Sequence, residues 1–188
     1  VDEDASLNGM QLEGVEVLAP ARALGIWEGG LVPVDAGNLL YRFRAERIIV
    51  ATGALEQPLV FPGNDLVGVM LPRAVRRLVH EFSIKPGNRA IVLAADDEGL
   101  EIADDLSDAG IAVARVIDLR ETRPRELAAQ GGKGRVRRLV VDGESVDCDL
   151  LVASGGRQPA YSLLAQAGAR IEFDADLVEI EPAGVGTL

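Results

Sequence analysis

The segment that decides the fold reads RAIVLAADDEGL, at residues 89–100. Its first part is an apolar run of strand length, and an acidic pair follows it as a helix cap. Residues 98–109 then carry apolar side chains at helical spacing up to Gly110, and a second apolar run occupies residues 111–118. This order predicts a β-α-β unit, which favours a parallel sheet with a right-handed crossover.

The segments around this unit supply further elements. Helical spacing predicts a helix over residues 71–82, and turn residues at 85–88 separate it from the next strand. After the unit we expect a short helix at 124–130, a hairpin at 135–146 and another short helix at 160–167. The middle of the chain is therefore predicted to be α/β.

The N-terminal part has a different pattern. Short apolar segments, the first at residues 15–18, alternate with turn residues as far as residue 43 and predict a β-meander. Proline and glycine residues make 54–71 a loop or crossover.

Two similar strand endings bracket the β-α-β unit. IIVATGA at 48–54 predicts a buried strand, and DLLVASGGRQP at 149–159 ends in a similar turn. Such a pair around one α/β unit is the pattern of two-dinucleotide flavoproteins, in which a Rossmann-like, three-layer nicotinamide-type domain is inserted into a flavin-type domain. The predicted domains are a partial flavin-type domain with the β-meander at 1–71, the nicotinamide-type domain at 72–157, and a return into the partial flavin-type domain at 158–188.

The turn after the first strand of the unit is the candidate nucleotide site. In such units the diphosphate lies at the helix N-terminus, where glycines let the backbone approach it. Here Asp96, Asp97 and Glu98 crowd the turn, only Gly99 remains, and no Gly-x-Gly-x-x-Gly occurs in the chain. Like charges should oppose phosphate binding.

Asp118 ends the next strand, about twenty residues beyond the turn, where an acid would accept hydrogen bonds from an adenosine ribose. Because Arg120 lies nearby, the binding of a dinucleotide with a 2′-phosphate stays open. The alternative interpretation is that Asp118 is only an acid in a turn at the end of a strand. Asp96, Asp97 and Asp118 are thus the candidate residues for a nicotinamide dinucleotide.

Other chemistry has little support in the sequence. Cys148 is the single cysteine, so a disulfide or dithiol mechanism within the chain is excluded, and its two acidic neighbours should raise its pKa. His80 is the single histidine and has no nucleophile beside it in the sequence. The acids between residues 96 and 108 lack the spacing of a metal site and are interpreted as a capped, solvated helix face. We assign no catalytic residue.

Charge and length limit the partners. A net charge of −11 and a pI near 4.6 argue against nucleic acid or an anionic membrane surface. No apolar run is long enough to span a membrane and no secretory signal is present, so we expect a soluble, cytoplasmic protein. Because the chain begins at Val1 and stops without an obvious terminal element, we expect a fragment of a longer protein.

The block ATGALEQP at 51–58, followed by FPGNDLVGVML at 61–71, is more specific than a generic strand ending. Together with CDLL at 148–151 and DAG at 108–110, it resembles the pyridine nucleotide-disulfide oxidoreductase superfamily, and within it the α subunit of heterotetrameric sarcosine oxidase. The resemblance covers roughly residues 40–180.

The resemblance implies that FAD lies close to the Ala-Thr-Gly turn, which here is Ala51, Thr52 and Gly53. Gly155 and Gly156, at the second strand ending, join them as candidate cofactor-binding residues. The N-terminal Gly-rich loop that holds FAD in the superfamily has no match here. Sarcosine oxidase α-like chains also tend to lack the second Gly-rich turn, so this departure supports the subgroup and argues against ordinary NAD(P)H reductase activity.

The resulting hypothesis is part of an FAD-dependent oxidoreductase subunit, with a nucleotide-binding role in the oxidation of a secondary amine or amino acid. FAD is expected in the full-length protein, and NAD stays open. The expected partners are other subunits or the rest of its own chain, with a small amine as substrate. The alternatives are a non-catalytic scaffold with a degenerate nucleotide site, and a general NAD(P)H-dependent FAD reductase.

Overall fold

The structure is a computed structural model that describes residues 14–174 and 179–183. These residues form two compact units, one up to Gly53 and again from Pro159 onward, the other Ala54–Gln158. The outer limits of the predicted domains, at residues 1 and 188, lie outside the described residues. In chain order the elements are β1 (Arg22–Ala23), β2 (Leu31–Asp35), β3 (Leu40–Arg44), β4 (Ala54–Glu56), β5 (Val69–Met70), α1 (Pro72–His80), β6 (Arg89–Ala94), α2 (Asp97–Asp108), β7 (Ala112–Asp118), β8 (Leu127–Gly132), β9 (Arg135–Val141), β10 (Glu144–Asp147), β11 (Leu150–Ser154), β12 (Arg157–Pro159), α3 (Ser162–Gln166), β13 (Arg170–Asp174) and β14 (Glu179–Ala183).

The second unit is built on a parallel sheet of strand order β5-β11-β6-β7. The two inner strands, β11 and β6, pair from Leu150 with Ala90 to Ser154 with Ala94. Every one of these paired residues is at most 4% exposed. Parallel strands are covered on both faces, which is why the sequence shows continuous apolar runs here instead of alternation. The predicted β-α-β unit and α/β class are confirmed.

The faces of the parallel sheet carry two different layers. On one face Val92 packs with the buried side chains of the helices, which are Val75 of α1 and Ile102 and Leu106 of α2. On the other face lies a cluster shared with the antiparallel strands, made of Phe61, Ile91, Leu93, Ile117, Ala129, Val136, Leu139, Val141, Cys148, Leu151 and Ala153. The unit therefore has three layers, as predicted.

The antiparallel sheet has the order β10-β9-β8. Its β9-β10 pair is the predicted hairpin at 135–146. The short helix expected at 124–130 is wrong, since Leu127–Gly132 forms β8 against β9. An alanine pair gives only a weak helix preference, which pairing with a neighbouring strand readily overrides. Ala129 is 7% exposed, and its N–H donates a hydrogen bond to the carbonyl oxygen of Pro62 at 2.8 Å.

The first unit contains the antiparallel sheet β1-β2-β3, which confirms the β-meander, and a hairpin of β13 and β14. Two predicted strands are absent: the one at 15–18, and the one at 48–54 apart from Ala54, which begins β4. Ile49 is 93% exposed, so the second segment is not buried either. Among the described residues no strand pairs with it, and a strand without a partner leaves its backbone groups to water.

No helix of the described residues is long and apolar enough to cross a membrane.

Asp149 joins the starts of β6 and β11. Its Oδ1 accepts hydrogen bonds from the backbone N–H groups of Asn88 and Arg89, both at 2.8 Å. Burial alone would raise the pKa of Asp149, but these hydrogen bonds outweigh it and the pKa lies below its usual value. The ionised carboxylate therefore stabilises the amino-terminal ends of these two inner strands.

Because the pKa of Asp149 is lower in the folded state than in the unfolded chain, its contribution is present above the unfolded pKa and is lost as the pH falls through the folded pKa. We expect Asp149→Asn to cost about 1 kcal/mol at pH 7, in line with lost charge-assisted hydrogen bonds, and much less at pH 2. Urea unfolding at both pH values measures this. Asp104→Asn, on the exposed face of α2, is the control and should change little. A cost for Asp149→Asn that stays the same at both pH values would contradict the prediction.

Candidate functional site

The candidate site lies at the carboxyl ends of β6 and β11. The loop after β6 leads through α2 to β7, whereas β11 lies on the other side of β6 and leads to the turn at Gly155 and Gly156. In open α/β sheets ligands bind in the crevice at such a point. The sequence predicted Asp96 and Asp97 for a nicotinamide dinucleotide and Gly155 and Gly156 for a cofactor at the second strand ending, and the structure brings all four to these strand ends.

Asp96 caps α2 with its own side chain. Its Oδ1 accepts a hydrogen bond from the backbone N–H of Gly99 at 2.9 Å and another from Ser154 Oγ at 2.7 Å. Ser154 is the last residue of β11 and is 2% exposed. A single carboxylate oxygen thus links the helix N-terminus to the neighbouring strand. The capping role was predicted, but the contact with Ser154 was not, because it joins residues far apart in the chain.

Gly99 is a glycine for packing. A Cβ added there would lie 2.6 Å from Ser154 Cβ and 2.9 Å from Ala94 Cβ. In the dinucleotide-binding turn the third glycine has this role of close helix–strand packing. When Gly99 is taken as the third glycine of the pattern Gly-x-Gly-x-x-Gly, Ala94 occupies the first glycine position and Asp96 the second.

Arginine side chains pair with several of the acids of α2. Glu98, whose side chain is 17% exposed, lies 3.2 Å from Arg76 Nη1 and 3.1 Å from Arg157 Nε. The second contact is an ion pair whose geometry does not make a hydrogen bond, since Oε2 of Glu98 has no hydrogen-bond partner. Arg76 also reaches Asp105 at 2.6 Å, and this hydrogen bond is the main reason that the pKa of Arg76 is raised. Part of the acidic helix face therefore forms a salt-bridge network, whereas Asp104 and Asp108 are exposed, as expected for a solvated face.

Asp118 is paired as well. Arg120 donates to both its carboxylate oxygens from the side chain, at 3.0 Å and 2.8 Å, and to Oδ1 from the backbone at 2.9 Å. These bonds, the side-chain ones first, hold the pKa of Asp118 below its usual value. Arg120 Nη1 also donates to Asp97 at 2.8 Å, so one guanidinium joins two of the three predicted dinucleotide residues. The pKa of Arg120 is raised by the same two carboxylates.

The Ala51-Thr52-Gly53 turn lies in the first unit and is exposed. Thr52 Oγ1 donates to the carbonyl oxygen of Ala160, and the N–H of Ala160 donates to the carbonyl oxygen of Gly53, both at 2.9 Å. Gly53 has φ +69°, and a Cβ there would meet no atom within 4 Å. Its backbone conformation requires glycine, and open space lies beside it.

Gly155 and Gly156 bring two segments of the second unit together. The N–H of Gly155 donates to the carbonyl oxygen of Gln57 at 2.8 Å, and the N–H of Gln57 donates to the carbonyl oxygen of Gly156 at 2.9 Å. A Cβ on Gly155 would lie 2.7 Å from the oxygen of Gln57. The small residues here therefore allow a close backbone approach.

The remaining reactive groups are structural. Cys148 is 4% exposed, and burial, followed by Asp149 and Asp147, raises its pKa to about 11. The exposed imidazole of His80 lies 3.4 Å from Asp105. Among the described residues no group of side chains has the arrangement of a metal site. A small apolar cavity of about 80 Å³ beyond β5 and β11, lined by residues such as Met70 and Ala153, is too small for a nucleotide.

The chain resembles known oxidoreductases in both sequence and structure. No protein-family model matches it. It is 29% identical over 206 residues to the sarcosine oxidase subunit alpha of Rhizobium meliloti (strain 1021), covering 92% of this chain and 21% of that protein. It is 28% identical over 172 residues to the same subunit of Corynebacterium sp. (strain P-1), covering 76% of this chain and 18% of that protein. The chain therefore spans about a fifth of the length of these relatives.

Among solved structures, the L-proline dehydrogenase of P. horikoshii matches with a TM-score of 0.68 and 25% identity, over 87% of this chain and 32% of that one. An NAD-dependent persulfide reductase from A. fulgidus matches with a TM-score of 0.62 over 86% of this chain and 35% of that one, and at 20% identity it supports the fold alone. These matches support the interpretation of the chain as part of an oxidoreductase. The chain is similar in sequence to the α subunits of sarcosine oxidase, and these matches support the resemblance to the pyridine nucleotide-disulfide oxidoreductase superfamily that its sequence indicated.

Proposed function

We propose that the chain is part of the α-type subunit of an FAD-dependent enzyme that oxidises a secondary amine or amino acid. The observation that carries this proposal is the match to sarcosine oxidase α over 92% of the chain. The similarity to an L-proline dehydrogenase supports the same substrate class, because sarcosine and proline are both secondary amino acids. In this reading the complete protein includes further domains or subunits.

The flavin contact assigned to this chain is the turn of Ala51, Thr52 and Gly53. The residues fit an approaching nucleotide, since the turn is exposed, Gly53 has a left-handed conformation and no atom stands where its Cβ would be. The bonds to Ala160 hold the turn in place. A bound flavin would supply the acceptor for the hydride of the amine. This chain's own part is to bind and position, and we assign it no residue that touches the reacting atoms.

Gly53→Val tests the flavin contact in the complete protein, coexpressed with the rest of its chain and its subunits. We expect about a tenfold rise in the Kd for FAD, equivalent to roughly 1.4 kcal/mol, because a β-branched residue cannot keep φ +69° and would fill the open space. FAD fluorescence titration measures the change. Gly37→Val is the matched control, since Gly37 also has positive φ (+80°) and open surroundings. Unchanged FAD affinity in a folded Gly53→Val protein would contradict the proposal.

A second role has support from the acidic turn. The salt bridges of Glu98 and Arg120 and the cap by Asp96 occupy the polar groups around the turn, which favours a scaffold role for this domain within the flavoenzyme. The same contacts argue against a general NAD(P)H-dependent FAD reductase. We retain a cytoplasmic location and the domain limits 1–71, 72–157 and 158–188 as predictions.

A further inference from the structure

We infer that Asp96 is a specificity-determining residue that keeps NAD(P) out of this domain, because its carboxylate occupies the helix N-terminus where a diphosphate would bind. The inference concerns the second unit alone. It does not depend on the proposed flavin contact, which lies in the first unit.

The position of Asp96 supplies the steric part. In the Gly-x-Gly-x-x-Gly pattern that would end at Gly99, Asp96 occupies the position of the second glycine, which normally lets the backbone approach the pyrophosphate. Its side chain instead turns back onto the helix and accepts the N–H of Gly99 at 2.9 Å. That N–H is one of the donors that a helix N-terminus offers to an anion. The donor is therefore already used by the chain itself.

The contact with β11 fixes the carboxylate in place. Ser154 is 2% exposed, and its hydroxyl donates to the same oxygen of Asp96 at 2.7 Å. A diphosphate would have to break this hydrogen bond and leave a buried hydroxyl without its acceptor, which is costly. The hydrogen bond also bridges the ends of β6 and β11, which form the walls of the usual ligand crevice.

The charges act in the same direction. Asp97 and Glu98 follow Asp96 in the first turn of α2, but Arg120 pairs with Asp97, and Arg76 and Arg157 pair with Glu98. Among the described residues, Asp96 is therefore the acid of this turn whose charge an incoming diphosphate meets without an ion pair. Arg120 does not offset it, because it is held between Asp97 and Asp118. The same clamp takes both oxygens of Asp118, which a ribose would need as acceptors. At both the diphosphate and the ribose position, the groups that would bind the nucleotide are therefore already hydrogen-bonded within the chain.

The test is to measure the binding of NAD⁺, NADH and NADPH to the complete protein by isothermal titration calorimetry. The complete protein is proposed to include further domains, so a site in this domain is recognised by the loss of binding on Asp118→Ala. We expect no such site in the wild type for any of the three nucleotides at up to about 1 mM. Asp96→Gly removes the side chain and should gain NAD⁺ or NADH affinity by about tenfold or more. Glycine is a tolerated helix cap, so the variant should fold.

Asp96→Asn is the matched variant that keeps the size and the cap but removes the charge. We expect it to gain less affinity than Asp96→Gly, because the side chain still fills the diphosphate position. Micromolar binding of NAD(P) by the wild type that is lost on Asp118→Ala would overturn the inference. So would the absence of any gain in both variants, each checked as folded by circular dichroism. Flavin content, read from visible absorbance, reports separately on the proposed function and should not change in either variant.

Discussion

Leu151→Ala is expected to lower the free energy of unfolding of the second unit by about 2–5 kcal/mol. Leu151 lies in the middle of β11, pairs with Ile91 on one side and Val69 on the other, and is fully buried. Truncation removes apolar contacts and leaves a cavity in the layer between the two sheets. An inner parallel strand is held by neighbours on both edges, so the backbone has little freedom to collapse into the space. Urea unfolding followed by circular dichroism measures the loss.

Leu55→Ala makes the same chemical change at a residue of β4 that is 63% exposed. It should change the free energy of unfolding by at most about 0.5 kcal/mol. If Leu151→Ala and Leu55→Ala had similar effects, the buried β6-β11 pair would not be the core of this unit.

Gly99→Ala is expected to destabilise the second unit by about 1–3 kcal/mol, although alanine is the better helix former. The added Cβ would lie 2.6 Å from Ser154 Cβ and 2.9 Å from Ala94 Cβ. Both atoms are fixed to inner strands of the sheet and cannot rotate away, so α2 must shift. The shift would also loosen the hydrogen bond between Asp96 and Ser154. The steric cost therefore exceeds the gain in helix propensity, and thermal unfolding should show a lower Tm.

Gly132→Ala is the control, because it makes the same change in β8 where no atom lies within 4 Å of the added Cβ. Its Tm should stay close to that of the wild type. A Gly99→Ala protein as stable as the wild type would show that the packing of α2 on β6 and β11 is looser than the structure indicates.

Much of the second unit could be predicted from local sequence. The runs at 90–95 and 150–153 are apolar without interruption because both faces of an inner parallel strand are buried, and this pattern needs no knowledge of the neighbours. The cap of α2 is likewise local, since Asp96 and Gly99 are three residues apart. The hairpin of β9 and β10 is specified by its own turn at Asp142 and Gly143.

The errors fall where a neighbour decides the conformation. The segment 124–130 contains alanines that favour a helix, but pairing with β9 and burial of Ala129 make it a strand. The segment 48–51 has the composition of a buried strand, yet Ile49 is 93% exposed because no described strand pairs with this segment. Composition indicates which secondary structures a segment can adopt, and pairing with neighbouring strands decides which one it adopts.

The candidate site divides in the same way. The sequence by itself determined that acids replace the glycines after β6, and that Asp118 follows at the distance expected for a ribose contact. Only the tertiary structure decided what these acids do. Arg120 joins Asp97 to Asp118. Arg157 contacts Glu98, and Ser154 donates a hydrogen bond to Asp96. All of these partners except Arg120 and Asp118 are more than twenty residues apart in the chain. Such partners meet because the sheet brings the ends of β6, β7 and β11 together, and the spacing of residues along a chain does not encode which ends become neighbours.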